Sequence, residues 1–151
     1  MARMTEDGFG LAAIHDEDDA LALMYFGAKG MTRDADEYLA TLGLARAHHR
    51  ILFVIARKDR LTVGDLIATL GVTKQALHRP MKQLLDAGYV TWKRDAAERR
   101  SKLLRLTAKG RKVEDEASGR ERAVMKRAFR KVGKAGRAAW ITVMATVAEG
   151  E

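Results

Sequence analysis

Residues 62–88 read TVGDLIATLGVTKQALHRPMKQLLDAG and hold the only proline of the chain, Pro80. Thr62, followed three residues later by Asp65, has the form of a capping box, and Val63, Leu66, Ile67 and Leu70 then share one helical face. Gly71 ends that helix. Thr73 suits the N-cap of a second one, which turns Leu77, Met81, Leu84 and Leu85 inward at helical spacing. Gly88 stands where a left-handed C-terminal cap is expected. A short helix, a tight Gly71-Val72 turn and a longer helix have the size and order of a helix-turn-helix.

The second helix of such a motif lies in the DNA major groove, with its N-terminal part facing base edges. Thr73 starts it here, and Lys74, Gln75, His78, Arg79 and Lys82 form its polar face. Gln suits bidentate contact with adenine, and Arg or Lys suits guanine or a phosphate. Pro80 interrupts this face because it has no N–H for the carbonyl of Ala76, and its ring crowds that carbonyl, at a cost of about 3 kcal/mol. The sequence predicts a bent recognition helix, with Thr73 to Arg79 in the groove and Met81 to Leu85 anchored in the core. A helix beginning at Pro80 would have Arg79, a poor cap, before it.

Directly afterwards, YVTWKR and KLLRLT are β-branched, aromatic and apolar, and the polar loop DAAERRS joins them. The predicted hairpin carries Arg94, Arg99, Arg100 and Lys102, and its loop can reach the neighbouring minor groove. Before the motif, a helix from Asp16 to about Leu39 sets Leu21, Met24, Tyr25 and Ala28 on one face, with the acids of HDEDD in its first turn, where the helix dipole favours them. A second helix, Leu44 to Arg57, carries the run ILFVIA, which is apolar nearly all round and predicts a central, buried element. After the hairpin come a long helix from about Ala108 to Lys131 and, past Gly133, a last one with Trp140, Val143, Met144 and Val147 in line. The terminal helices offer more apolar surface than a small winged domain can cover, and pairing two copies would bury it. A six-helix monomer is the alternative.

Charge divides the chain in the same way. The net charge is +8 and the pI near 10.0, but residues 1–41 hold 3 basic and 9 acidic side chains whereas residues 42–137 hold 25 and 9. A polyanion is the expected partner of the basic part. With no cysteine, disulfides, zinc–thiolate sites and thiol redox sensing are all excluded. No apolar run approaches the roughly 18 residues a membrane span needs, and the acidic start does not resemble a signal peptide. A soluble cytoplasmic protein without membrane contact is expected.

Catalytic signatures are missing. There is no phosphate-cradling glycine loop, and the only serines, Ser101 and Ser118, stand in polar surroundings. His48 and His49 are adjacent and point about 100° apart on a helix, so they cannot chelate one metal as an i, i+4 pair would. One of them is expected to pack and the other to be exposed. The acids of HDEDD are explained by the first helical turn. Neither an enzyme nor a metal or cofactor site is expected.

The succession from LGLARAHHRILFVIARKDRLTVGDLIATLGVTKQALHR through LLDAGYVTWKRDAAERRSKLLRLTAKG resembles the MarR family of winged helix-turn-helix transcriptional regulators. The most specific piece is ERRSKLLRLTAKG, which is similar to the family's wing: acid, any residue, Arg, small residue, short apolar strand, then Leu-Thr and a helix start. The resemblance covers about residues 16–149. It implies a homodimer built by the first and last helices, with two winged domains set to meet successive major grooves of an inverted-repeat operator. It also implies that Arg100 enters the minor groove and that the acid two residues earlier steadies the wing. That acid is Glu98, where Asp is usual. Regulators of this family commonly respond to small aromatic ligands, although no residue here identifies the pocket.

The expected fold is mainly α with a small β-hairpin wing, a winged helix-turn-helix domain plus a helical dimerisation region. Residues 1–151 form a single domain in this reading, with 44–107 as the DNA-binding region and 16–42 and 108–149 as the dimerisation region. The expected function is a dimeric repressor that binds double-stranded DNA and is released by a small ligand. A winged-helix protein-interaction module, or a nonspecific nucleoid-type DNA-binding protein, is the alternative.

Overall fold

The computed structural model describes residues 9, 11, 14–98 and 101–150. Among them, the elements in chain order are α1 (Asp18–Thr41), α2 (Arg46–Arg57), α3 (Val63–Leu70), α4 (Lys74–Asp86), β1 (Val90–Arg94), β2 (Lys102–Leu106) and α5 (Ala108–Glu149). They fall into two compact units. A winged unit spans Ala35–Arg122, and a helical unit consists of the chain before and after it, Met1–Asp34 and Ala123–Glu151.

The winged unit is built around α2, which packs against α3, α4 and β2. Ile51, Leu52 and Ile55 meet Leu66 of α3, Leu77, Met81 and Leu84 of α4, and Leu104 of β2 in one cluster. Ala35 and Leu39 from the end of α1, and Val113 and Ala117 from the start of α5, close that cluster. The compact unit is therefore wider than residues 44–107. The apolar run ILFVIA is not buried all round, however. Phe53 is 42% exposed, and the Arg57 guanidinium lies 3.7 Å from its ring centroid. The helices and strand that cover α2 face the Ile51, Leu52 and Ile55 side.

Local signals start and stop the elements. The Asp65 N–H donates to Thr62 Oγ1 at 3.1 Å while the Thr62 N–H donates to Asp65 Oδ2 at 3.0 Å, the reciprocal box that starts α3. Gly71 ends that helix at φ 63°, a left-handed conformation that glycine takes without steric cost. Thr73 Oγ1 accepts the Ala76 N–H at 3.0 Å and starts α4, which runs unbroken through Pro80. Pro80 therefore removes one backbone hydrogen bond without ending the helix. Ala76, whose carbonyl loses its donor, is exposed, so water can satisfy it.

The wing is a two-stranded antiparallel hairpin in which Val90 pairs with Leu106, Trp92 with Leu104 and Arg94 with Lys102. The Leu104 N–H also donates to the Leu61 carbonyl at 2.8 Å, tying β2 to the loop between α2 and α3. Thr107 and Gly110 then join hairpin to helix. Thr107 Oγ1 accepts the Gly110 N–H at 3.0 Å and donates to the Gly88 carbonyl at 2.6 Å. A side chain at Gly110 would place its Cβ 1.9 Å from the Tyr89 carbonyl oxygen.

In the helical unit, Gly133 breaks the regular conformation of α5 at φ 70° and ψ −170°, at the predicted boundary between two helices. Phe129 and Trp140 meet edge to face on either side of it, with ring centroids 5.3 Å apart. Leu21, Met24 and Tyr25 of α1 and Trp140, Val143 and Val147 of α5 are all exposed large apolar residues. No single helix among the described residues is long and apolar enough to cross a membrane.

Candidate nucleic-acid interface

Burial orients α4. Leu77, Met81 and Leu84 are 4%, 5% and 0% exposed, so the opposite side of the helix must face solvent. Lys74, Gln75, His78, Arg79 and Lys82 are all exposed there. Lys82 pairs with Asp86 one turn on, a solvent-exposed ion pair of small energetic weight. Lys74, Gln75, His78 and Arg79 make no side-chain hydrogen bond or ion pair to any other described residue, so their donors remain available to an external partner. The Thr73 oxygen is occupied as a cap acceptor, which leaves its O–H to donate.

The wing adds cations beside this helix in sequence. Arg94 and Lys102 face one another across the last pair of the hairpin, where two like charges repel in the absence of a counter-anion. Trp92 is 40% exposed, with Lys102 Nζ 5.3 Å from its ring centroid. The wing loop closes through two backbone hydrogen bonds, Asp95 N–H to the Ser101 carbonyl and Ser101 N–H to the Glu98 carbonyl, both 3.0 Å. Ser101 Oγ also donates to Glu98 Oε2 at 2.8 Å. Arg99 and Arg100 lie outside the described residues.

A helix-turn-helix followed by a basic hairpin is thus present in three dimensions, and comparison with known proteins agrees with it. A model of the MarR family matches residues 42–101. The HTH-type transcriptional regulator PetP of Rhodobacter capsulatus is 41% identical over 110 residues, covering 73% of this chain. The chain belongs to the MarR family. The matched segment spans 66% of the length of PetP. A MarR-family transcriptional regulator from Silicibacter pomeroyi superposes with a TM-score of 0.72 at 28% identity, over 91% of this chain and 92% of that one. The MepR–DNA complex from S. aureus superposes at 0.71, over 87% and 96% of the two chains, and at 16% identity it supports the fold alone.

Within this MarR-family winged unit, two site residues escaped the sequence reading. Asp95 is 6% exposed, and its carboxylate accepts the Ala97 N–H at 3.0 Å and a hydrogen bond from Arg60 Nη2. Arg60 takes an uncommon left-handed conformation for a non-glycine residue, φ 54°, in the loop that β2 also grips. The Ala97 N–H holds the Asp95 carboxyl below the usual carboxylate range; burial opposes that shift and the Arg60 charge assists it. Asp95 therefore ties the wing to the loop before α3. The only sequence signal for it was an acid at the end of a predicted strand.

The second is His48. Its Nδ1 accepts the Ala45 N–H at 2.9 Å, and its Nε2 lies 2.8 Å from Gln83 Oε1 on α4. The expectation that one of the two adjacent histidines is exposed is incorrect, since His48 and His49 are 8% and 1% exposed. They point to different neighbours, as adjacent helical residues must. His49 Nε2 is 3.0 Å from Ser118 Oγ, which in turn donates to Glu114 Oε1 at 2.5 Å, so it packs toward α5. Among the described residues, no group of three or more His, Asp or Glu side chains is placed to hold a metal ion.

Proposed function

We propose that this chain is a transcriptional regulator that binds double-stranded DNA as a homodimer, reads an inverted-repeat operator with α4 and acts as a repressor in the cytoplasm. The observation that carries this reading is the unpartnered face of Lys74, Gln75, His78 and Arg79 on a helix whose other side is locked in a core. Lys82, Arg94 and Lys102, together with Arg99 and Arg100, would contact the phosphate backbone or minor groove. Glu98 would steady the wing. These roles call for binding groups only, and no catalysis is assigned to the chain. The helical unit, with its exposed apolar faces on α1 and α5, would form the dimer.

Release by a small aromatic ligand belongs to the same proposal. Two clefts of the winged unit, about 490 and 320 Å³, are lined by charged side chains such as Arg57, Lys58, Arg105 and Arg111 together with aliphatic ones, with no aromatic ring among them. Neither is assigned as the ligand site.

Selection of bound sequences from a random duplex pool at near-physiological salt tests the reading. An inverted repeat with half-sites about 10–10.5 base pairs apart is the expected product. In binding assays on that product, Gln75→Ala should relax sequence choice, whereas Arg100→Ala should weaken operator and random DNA alike and flatten the salt dependence. Salt-sensitive binding with no recovered motif would instead mark a nonspecific DNA-binding or interaction module.

A further inference from the structure

We propose that His48 is a positioning residue for DNA recognition, holding α4 at a fixed rotation through its hydrogen bond to Gln83. This inference rests on the reading of α4 as the recognition helix. His48 stands in the first turn of α2 and is almost fully buried, yet both of its ring nitrogens are used. Nδ1 accepts the Ala45 N–H at 2.9 Å, so in the neutral ring Nε2 carries the proton and donates to Gln83 Oε1 at 2.8 Å. One side chain thus starts α2 and grips α4.

The grip matters because of what else holds α4. Along its length Leu77, Met81 and Leu84 anchor it by apolar contacts, which depend on area and tolerate a small roll or slide, while Lys109 Nζ and Thr107 Oγ1 donate to the Ala87 and Gly88 carbonyls only past its C-terminal end. A hydrogen bond weakens steeply with distance and angle, so the His48–Gln83 contact selects one rotation from those the core permits. Gln83 lies one turn beyond Arg79 and two turns beyond Gln75. A roll about the helix axis would carry those side chains off their base edges while leaving the nondirectional attraction of cations for phosphate largely intact. Pro80 sharpens this dependence, since it removes one bond of the α4 ladder between the groove-facing and anchored turns.

A double-mutant cycle distinguishes positioning from stability and from direct contact. His48→Gln can still accept the Ala45 N–H, as Gln does in a capping box, but it no longer presents a ring N–H to Gln83. Gln83→Ala removes the acceptor at an exposed site, and Gln83→Glu keeps it. Affinities for the selected operator and for a random duplex are measured with full-length protein, beside melting temperatures. We expect each of His48→Gln and Gln83→Ala to weaken operator binding roughly three- to tenfold with random-duplex affinity unchanged. The double variant should be no weaker than either single one. Gln83→Glu should retain the operator-to-random ratio even if its charge lowers both affinities. Additive losses would show that Gln83 touches DNA itself, and losses that follow melting temperature on both duplexes would show a merely structural role. Either result overturns the proposal. A wild-type protein that prefers no sequence would instead overturn the recognition-helix reading, and this inference with it.

Discussion

The two units solve the same problem of covering apolar surface in opposite ways. Among the described residues, every buried apolar side chain belongs to the winged unit Ala35–Arg122, where sixteen of them form one cluster. The helical unit has none. It displays Leu21, Met24, Tyr25, Val132, Trp140, Ile141, Val143 and Val147 at 42–67% exposure, although the chain is helical through α1 and on both sides of the break at Gly133. Regular backbone hydrogen bonding therefore forms without a core, but most helical stability in proteins comes from packing an apolar face. The winged unit carries its own core, whereas the helical unit leaves apolar faces exposed, which a second copy would cover in the proposed dimer.

The sharpest way to break this contrast is to truncate one side chain in each unit. Leu84→Ala, at a position with no exposure, should cost about 2–5 kcal/mol, and its shift in unfolding midpoint should not depend on protein concentration. Trp140→Ala should act through assembly. Its destabilisation should grow on dilution, with a dimer dissociation constant at least about tenfold higher by analytical ultracentrifugation. Equal, concentration-independent shifts for both would mean that the helical unit is self-sufficient.

Gly110→Ala tests how tightly the winged unit is closed. The added methyl meets the Tyr89 backbone rather than a movable side chain, so a loss of about 1–3 kcal/mol is expected in chemical denaturation. Gly27→Ala, where nothing lies within 4 Å of the added methyl, should instead be neutral or stabilising. A smaller effect of opposite sign is expected from Pro80→Ala. Restoring a donor to the Ala76 carbonyl should raise stability by about 1 kcal/mol, and repeated operator selection should show altered preference. No change in melting temperature or in operator would mean that Pro80 has no mechanical part in recognition.

The smallest effect concerns acid. Because the folded Asp95 carboxyl titrates below its ordinary range, its contribution is complete above about pH 4 and is lost as the pH falls through the lower, folded value. The wild-type winged unit should lose stability more steeply than Asp95→Asn on acidification through that window. Parallel profiles would remove Asp95 from the wing's support.

Much of the architecture was legible because its determinants are local. The Thr62–Asp65 box, the Thr73 cap and the Gly71 and Gly88 terminations each act within about one helical turn, so composition and spacing reveal them directly. The outward face of Lys74, Gln75, His78 and Arg79 follows from the inward face of Leu77, Met81 and Leu84 on the same helix. The wing strands and the break at Gly133 also stand where β-propensity and glycine put them. ILFVIA misled because apolarity all round a helix says nothing of how many neighbours arrive to cover it, and here Phe53 stays partly exposed.

The order of helices and hairpin, their caps, the basic face of α4 and the charge contrast between the ends and the middle of the chain all follow from composition and spacing. The partners of the polar side chains follow from the folded arrangement instead. His48 and Gln83 are 35 residues apart, as are Arg60 and Asp95, and His49 and Ser118 are 69 apart. Capping and periodicity reach three or four residues along a chain, whereas a buried polar group takes whatever donor or acceptor the finished fold brings within about 3 Å.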